Sequence, residues 1–387
     1  MSDSTLPCNT GRQAPSRKAP ILFHGWLMIL TASIGMALIY GARHSFSVFY
    51  PAILHDFGWK RGDTALMYSL NILVYGLAAP FAGSLGDRWQ PRRVLQLGLL
   101  ILFLALAACG LSRKLWHFYL LFGVAVPLGT ALSGWPLLSS ALANWFYRKR
   151  GMAMGLGQMG AGFSFTFGFF VDWIIARIGW RLAYVVTAVI LLAVMSPVYH
   201  FLYCHRPEEK GLRAFGAGDE VASAMTQPGV AAGLRSCLGD CRLWFLVASE
   251  FFYWGIGIYL ILAHQISLAI DAGYSSVFAA SVFSLFGVFM VAGQFASTIS
   301  DWIGREKTFF IAASLSMGSL IALYHVRDTS TPYLLYAYAS GFGLGAGLST
   351  PTLFTGAADI FHGQNYGAVA GCLLCGMGLG AAVGPWL

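Results

Sequence analysis

The sequence has few charged residues for its length. Asp, Glu, Lys and Arg make up 10% of its 387 residues, whereas 57% are hydrophobic. Soluble domains carry about 25% charged residues because they must present a hydrated surface to water. The shortage of charge therefore excludes an ordinary soluble enzyme or a soluble nucleic-acid-binding protein, and it indicates a chain that lies within a membrane.

The sequence also lacks the motifs of enzyme chemistry and of disulfide frameworks. It contains no P-loop, no H-E-x-x-H and no G-x-S-x-G, so neither ATP-driven transport nor hydrolysis has support. Its seven cysteines are odd in number, and Cys109, Cys372 and Cys375 fall within apolar segments, so no disulfide framework is predicted. We expect no enzymatic activity, no cofactor and no metal site.

The sequence does contain many long apolar segments. A helix of about 20 apolar residues crosses the hydrocarbon core of a bilayer. Eleven such segments are predicted, at 21–54, 64–86, 93–112, 115–145, 151–176, 180–203, 242–270, 275–300, 307–326, 332–358 and 366–387. The expected surroundings are therefore the lipids of a plasma membrane or of a bacterial inner membrane.

The basic residues predict how the chain is oriented. Lys and Arg are enriched in cytoplasmic loops. With the N-terminus in the cytoplasm, 16 of the 24 Lys and Arg residues fall in cytoplasmic segments and 7 on the opposite side. We therefore predict a cytoplasmic N-terminus with a disordered tail over 1–20. The net charge of +8 is then a signal of topology, and no nucleic-acid partner is expected.

The two halves of the chain resemble each other. Asp87, in a short basic loop, recurs as Asp301 at an offset of 214 residues. Five glycines of the first half recur in the second half, each shifted by 216 residues: Gly151, Gly155, Gly160, Gly162 and Gly168 return as Gly367, Gly371, Gly376, Gly378 and Gly384. Repeated halves are typical of secondary transporters, whose substrate site lies between them near the membrane midplane.

These observations predict an all-α polytopic membrane protein built from two pseudo-repeated helical bundles. The N-terminal bundle of six helices covers 21–203, a central cytoplasmic loop covers 204–241, and the C-terminal bundle covers 242–387. The repeat predicts twelve helices, of which eleven are found, because 172–203 would correspond to about 388–419. We expect that a peripheral twelfth helix has been lost by truncation, either of the protein or of the sequence.

A short motif surrounds each of the duplicated acids. Residues 83–95 read GSLGDRWQPRRVL and include Asp87, Arg88 and Arg92, while 301–307 read DWIGREK and include Asp301 and Arg305. A carboxylate beside a basic loop can lie against a helix N-terminus and pair with Arg. The first stretch resembles the loop signature between helices 2 and 3 of the major facilitator superfamily, except that Gln90 replaces the usual Gly. The resemblance implies the major facilitator fold and a cytoplasmic gate formed by these five residues; the alternative is a plain positive loop.

Further stretches resemble one branch of that superfamily, the monocarboxylate transporter and oxalate/formate antiporter group. They are FYP at 49–51, FGW at 57–59, WFYRKRGMAMG at 145–155, GWR at 179–181 and PEEKGL at 207–212. The resemblance spans nearly the whole chain and implies alternating access with a small organic anion, such as a monocarboxylate, moved together with protons. Those transporters carry an acidic residue and an Arg in helix 8, where this sequence has Met290 and Gln294.

Polar and ionisable residues within the predicted membrane segments are the candidate site residues, because a charged group at helix centre costs about 2.5–3.5 kcal/mol. We expect substrate binding by five residues: Arg43, Tyr40, His44, Gln294 and Trp254. Glu250 or His264 would carry the coupled proton, since both fall with Trp254 on one helical stripe. The alternatives are that Arg43 extends to the outer interface, Glu250 reaches cytoplasmic water, and His264 is an interface histidine.

Other interpretations stay open at this point. Aromatic residues such as Tyr75, Trp135 and Tyr259 favour the efflux of amphipathic compounds, and a non-transporting receptor or inactive relative is a further alternative. We expect a monomer. The stretch from Gly155 to Gly160 spells G-x-G-x-x-G, but no strand precedes it, so it indicates close helix packing and not a nucleotide site.

Overall fold

The structure, a computed structural model, describes residues 24–59, 61–216, 237–361, 365–384 and 387. The predicted tail at 1–20 and much of the predicted central loop lie outside these ranges. Within them every regular element is helical, and the single β-type contact is an isolated bridge between Phe146 and Phe215. The all-α expectation is therefore confirmed for the part of the chain that the structure describes.

The described residues of the first half form nine α-helices. They are α1 (His24–His44), α2 (Phe46–Phe57), α3 (Arg61–Arg88), α4 (Pro91–Gly110), α5 (Leu115–Leu120), α6 (Val126–Ser133), α7 (Trp135–Trp145), α8 (Arg150–Phe163) and α9 (Phe167–Pro197). A π-helical turn, Leu121–Ala125, joins α5 to α6, and a second, Val198–Leu202, ends α9. A 3₁₀ turn, Pro207–Lys210, follows.

The described residues of the second half form seven further α-helices. They are α10 (Cys241–Ser249), α11 (Tyr259–Asp271), α12 (Ser276–Ala296), α13 (Ser300–Ile303), α14 (Arg305–Tyr324), α15 (Pro332–Ile360) and α16 (Tyr366–Val383). A long π-helical segment, Glu250–Ile258, joins α10 to α11, and the 3₁₀ turn Ser297–Ile299 joins α12 to α13.

Nine continuous helical stretches of the described chain are long and apolar enough to cross a membrane, fewer than the eleven segments predicted. Two of the predicted segments merge into one stretch, Arg150–Leu202, which bends at Gly179. The φ angle of 76° there is one that glycine adopts readily because it has no Cβ. The helix α15 is 29 residues long but is rich in Gly, Ser and Thr, and it is not among the nine.

The two halves pack against each other through glycines. A Cβ at Gly83 of α3 would overlap the carbonyl oxygen of Gly367 in α16, and a Cβ at Gly155 of α8 would overlap the Gln294 carbonyl of α12. These α3–α16 and α8–α12 contacts are equivalent under the internal repeat. Within the first half, a Cβ at Gly160 of α8 would overlap the Ser33 carbonyl of α1, which confirms that the G-x-G-x-x-G stretch is a helix-packing surface.

Two of the motif stretches meet at one end of the first half. The Arg181 guanidinium lies 3.1 Å from Asp56 Oδ2 and also donates to the Ser112 carbonyl. The same guanidinium lies 5.3 Å from the centre of the Phe57 ring, which stacks on Trp59. The FGW and GWR stretches therefore hold the ends of α2 and α4 against the bend of α9 at Gly179, opposite the end that carries Asp87 and Asp301.

Candidate functional site

A cavity of about 100 Å³ lies between the two halves. Helices α1, α3, α7 and α8 of the first half and α11, α12, α15 and α16 of the second half contribute to its wall, together with the π-helical segment. Eight of its lining residues are aromatic: Tyr40, Tyr68, Tyr75, Trp135, Phe165, Trp254, Tyr259 and Phe354. The site therefore offers a largely apolar wall shared by both halves, with room for a small solute.

Arg43 supplies the positive charge of this cavity. Its side chain is buried at 2% exposure, so the alternative that it extends to an interface does not describe this structure. Its Nε donates to Asn71 Oδ1 at 2.5 Å, and its guanidinium carbon lies 4.5 Å from the centre of the Tyr75 ring. Its Nη2 has no hydrogen-bond partner among the described residues. Within that part of the chain, Arg43 is the one cavity-lining residue with a formal charge.

Three other residues predicted to bind substrate also line the cavity. Tyr40 shares a hydrogen bond with the Tyr75 hydroxyl. His44 Nδ1 lies 2.9 Å from Ser164 Oγ, and the imidazole stacks on Phe165. Trp254 donates from its indole nitrogen to Ser349 Oγ at 3.1 Å. The first and second halves therefore both present ordered polar groups at the cavity wall.

Gln294, the fifth predicted substrate-binding residue, is not among the lining residues. It lies in the α8–α12 interface, where its Oε1 would be 3.0 Å from a Cβ at Gly162. Both polar atoms of its side chain are buried without a hydrogen-bond partner among the described residues. Met290, the other position matched to the pattern of those transporters, does line the cavity.

Glu250 and His264, the predicted proton carriers, lie apart. Glu250 is fully buried, and neither of its carboxylate oxygens has a hydrogen-bond partner in the described chain. His264 is exposed on α11. The expected single stripe through both residues is wrong because Glu250–Ile258 is π-helical. Its bonds run from residue i to i+5, so residues beyond it are rotated relative to a regular α-helix.

Asp87 and Asp301 each bind the start of a helix in the opposite half. Asp301 accepts hydrogen bonds from the backbone N–H groups of Gly151 and Met152, both at 2.9 Å, at the first turn of α8. Asp87 accepts from the N–H groups of Gly367 and Ala368, at 3.2 and 2.9 Å, at the first turn of α16. A carboxylate there satisfies free N–H groups and faces the positive end of the helix dipole.

An ion-pair network lies beside these contacts, at what we call the basic-loop end of the molecule. Arg305 Nη1 lies 2.8 Å from Asp301, and its Nε lies 3.0 Å from Asp359. The same Asp359 pairs with Arg150 of the first half at 3.0 Å. The network therefore joins the two halves through Arg150 and Asp359, neither of which the sequence analysis selected.

The remaining two predicted gate residues show no hydrogen bond or ion pair to the opposite half among the described residues. Arg92 donates to the carbonyl of Tyr203 at 2.7 Å, within its own half, and Arg88 is exposed. In the sequence, the run Arg148-Lys149-Arg150 belongs both to the basic loops and to the motif stretch at 145–155. The position of Arg150 at the first turn of α8 was the signal that could have singled it out.

Sequence reasoning also missed two residues at the cavity. Gln158 lies within the glycine-rich stretch of α8 and lines the cavity, with its Oε1 buried and unpaired among the described residues. Asn71 lies behind Arg43 at 0% exposure. A polar amide inside an apolar membrane segment was the available signal in both cases.

Comparison with known proteins decides the family. The chain matches the family model described as Major Facilitator Superfamily over residues 32–385. It belongs to the Major Facilitator Superfamily. Members of this superfamily are membrane transporters, so the expectation of a non-enzymatic transport protein is confirmed.

The relatives agree with the branch indicated by the motifs. Monocarboxylate transporter 13 of Rattus norvegicus is 27% identical over 361 residues, which cover 92% of this chain and 78% of the relative. Monocarboxylate transporter 11 of Homo sapiens is 26% identical over 371 residues, covering 93% and 75%. A putative glycerol-3-phosphate transporter of Arabidopsis thaliana is 27% identical over 391 residues, covering 88% and 73%.

The fold also matches a solved structure of this superfamily. The proton:xylose symporter XylE, bound to 6-bromo-6-deoxy-D-glucose, superposes with a TM-score of 0.72 over 94% of this chain and 88% of the symporter. The sequences are 17% identical, so the likeness shows the fold alone. The major facilitator fold predicted from the loop signature is therefore confirmed.

Proposed function

We propose that this protein is a secondary active transporter that carries a small organic anion, such as a monocarboxylate, together with a proton by alternating access. The observation that carries the proposal is the buried Arg43 at the cavity between the two halves, with its Nη2 unpaired among the described residues. A buried cation without a carboxylate partner is costly. An anionic substrate would supply that partner, and a carboxylate fits a guanidinium edge well.

The relatives support a carboxylate as the cargo. Two of them, at 26–27% identity over more than nine-tenths of this chain, are named monocarboxylate transporters. Met290 and Gln294 of α12 occupy the positions at which those transporters carry an acidic residue and an Arg, and Gln294 does not line the cavity. Arg43 would therefore take the role of anion receptor in this protein, with Tyr40, His44 and Trp254 completing the wall around the substrate.

Glu250 is the residue we assign to proton coupling. A fully buried carboxylate without hydrogen-bond partners is costly to keep charged. Such a group suits proton transport, because it can hold a proton while it is buried and release it when a second conformation brings water to it. His264, which is exposed on α11, is the second candidate carrier.

The basic-loop end would be the cytoplasmic gate. Asp87, Asp301 and Asp359 each bind a group of the opposite half there, so those contacts must break when the halves rock apart at that end. We place this end in the cytoplasm, with the N-terminus, on the distribution of Lys and Arg. The proposed setting is a plasma membrane or bacterial inner membrane, and the proposed unit is a monomer.

Transport in proteoliposomes tests this function. With an internal pH dye, inward gradients of pyruvate or benzoate should acidify the lumen of vesicles that contain the wild-type protein. Arg43→Ala should weaken the apparent affinity for both anions at least tenfold, because it removes a charge-assisted contact. Arg113→Ala, which changes an exposed arginine, is the matched control. Unchanged affinity in Arg43→Ala, or no movement of either anion by the wild type, would contradict the proposal.

The eight aromatic residues of the cavity favour a second candidate function, the export of amphipathic compounds. Flat apolar side chains bind extended apolar bodies, and they stack on cations as well. The same vesicles should then accumulate a cationic dye such as rhodamine 6G, with no loss in Arg43→Ala. Transport of the dye with no transport of benzoate or pyruvate would favour this second function over the first.

A further inference from the structure

We propose that Asn71 is a positioning residue that orients the Arg43 guanidinium. The Phe122 backbone carbonyl, to which Pro127 cannot donate a hydrogen bond, orients Asn71 in turn. The inference rests on the proposed function, in which Arg43 receives the substrate anion. It assigns the orientation of the Arg43 guanidinium to Asn71 and Phe122, neither of which lines the cavity.

Asn71 uses both ends of its amide. It is fully buried on α3. Its Nδ2 donates to the Phe122 carbonyl at 2.7 Å, and its Oδ1 accepts from Arg43 Nε at 2.5 Å. Because the nitrogen is committed to a carbonyl, which can only accept, the oxygen must face the guanidinium. The direction of the amide is therefore decided by Phe122.

The Phe122 carbonyl is available because its helix changes register. In a regular α-helix it would accept from the N–H of residue 126. Phe122 lies in the π-helical turn Leu121–Ala125, and the Val126 N–H donates to Leu121 instead. The next residue, Pro127, has no N–H to donate. The bulge and the proline together leave an acceptor for the Asn71 amide within a membrane helix, where a free carbonyl is costly.

These contacts restrict the guanidinium in two ways. The bond to Asn71 holds Nε, and the Tyr75 ring lies 4.5 Å from the guanidinium carbon. Tyr75 is itself bonded to the Tyr40 hydroxyl. Nη2 stays without a hydrogen-bond partner among the described residues. Because Nε of the planar Arg43 guanidinium is held, its remaining N–H groups point in a fixed direction. This arrangement favours a carboxylate that binds through both oxygens.

Equilibrium binding of radiolabelled benzoate to purified protein in nanodiscs tests the role of Asn71. Asn71→Leu should raise Kd about 10- to 100-fold, which is the range for losing a hydrogen bond to a charged group. In transport, KM should rise while the maximal rate changes little, because binding and not turnover is affected. Asn144→Leu is the matched control, since that amide bonds to His205 away from the cavity.

Two further variants separate positioning from a general loss of structure. Pro127→Ala gives residue 127 an N–H that competes with Asn71 for the Phe122 carbonyl, so Kd should rise in the same direction, by less. In an Arg43→Lys background, Asn71→Leu should add no further loss, because lysine has no Nε–H to be held. Independent, additive effects of the two substitutions would overturn the positioning role.

The outcomes distinguish this inference from the proposed function. If Arg43→Ala loses benzoate binding and Asn71→Leu binds like the wild type, Asn71 does not position Arg43 and the transporter proposal stands. If the wild type binds neither benzoate nor pyruvate, the proposed function fails. The nitrogen NMR signal of Arg43 Nε then decides the inference. A slowly exchanging N–H that is lost in Asn71→Leu and kept in Asn144→Leu supports it, and an unchanged signal in both overturns it.

Discussion

Arg150 of the first half forms an ion pair with Asp359 of the second half, with 3.0 Å between Nη1 and Oδ1. Arg150 is 4% exposed and Asp359 is 39% exposed. Arg305 approaches the other oxygen of the same carboxylate at 3.0 Å. One carboxylate therefore binds a guanidinium from each half. Removing it leaves a buried guanidinium without its partner, which is costly.

We predict that Asp359→Asn weakens the contact between the halves at the basic-loop end. Hydrogen exchange measured by mass spectrometry should become faster at the first turns of α8 and α14, because these turns carry Arg150 and Arg305. The control is Asp240→Asn, which removes an exposed pair with Arg242 two residues away. Equal protection in wild type and Asp359→Asn would show that the pair does not hold this end closed.

Glu250→Gln should separate proton movement from substrate movement. Glutamine has nearly the same shape but cannot take up or release a proton, so uptake driven by a pH gradient should fall at least tenfold. Exchange of labelled for unlabelled substrate across the membrane should continue. Glu306→Gln, at an exposed position on α14, should leave both activities unchanged. Retained pH-driven uptake in Glu250→Gln would remove Glu250 from the coupling mechanism.

His205 should make stability depend on pH. Burial lowers the pKa of His205 from 6.5 to about 3, and its ring bonds to Tyr203 and Asn144. Protons then bind the unfolded chain more readily than the folded one. The neutral imidazole gives its full contribution above pH 6.5, and that contribution declines as the pH falls toward 3. His205→Gln should flatten the acid side of the thermal unfolding curve; an unchanged slope would contradict this assignment.

Close helix packing predicts a large effect of Gly83→Val. The new side chain would overlap the Gly367 carbonyl across the α3–α16 interface, and overpacking typically costs about 1–3 kcal/mol. The thermal unfolding midpoint in detergent should fall by several degrees, and transport should decline. Gly318→Val is the matched control, because a Cβ there meets nothing within 4 Å. Equal midpoints for the two variants would mean that the interface can widen freely.

The contacts between the halves followed closely from the sequence. The duplicated acids Asp87 and Asp301 lie at two equivalent interfaces between the halves. Three of the five repeated glycines in each half lie there too: Gly151, Gly155 and Gly162, and their counterparts Gly367, Gly371 and Gly378. Composition and spacing suffice for such features because a glycine stripe and a carboxylate at a helix start act through backbone geometry, which a local sequence specifies.

The sequence predicted the positions of the side chains around the cavity less well. Regular helical periodicity predicted that His264 shares a face with Glu250, but the π-helical segment between them changes the register. Gln294 occupies a substrate position in the family pattern, yet its side chain lies where α12 packs against α8. Periodicity assumes an unbroken α-helix, so it cannot predict which residues on the two sides of a π-helical segment share a face of the helix.

The sequence by itself determined that this chain is a helical membrane protein of the Major Facilitator Superfamily, because apolar length, basic loops and repeated motifs are properties of consecutive residues. Only the tertiary structure decided which polar groups meet. Arg43, Asn71 and Phe122 come from three separate helices, and their alignment depends on a local change of register before Pro127. Contacts of that kind arise from packing between distant segments, which no pattern along one segment contains.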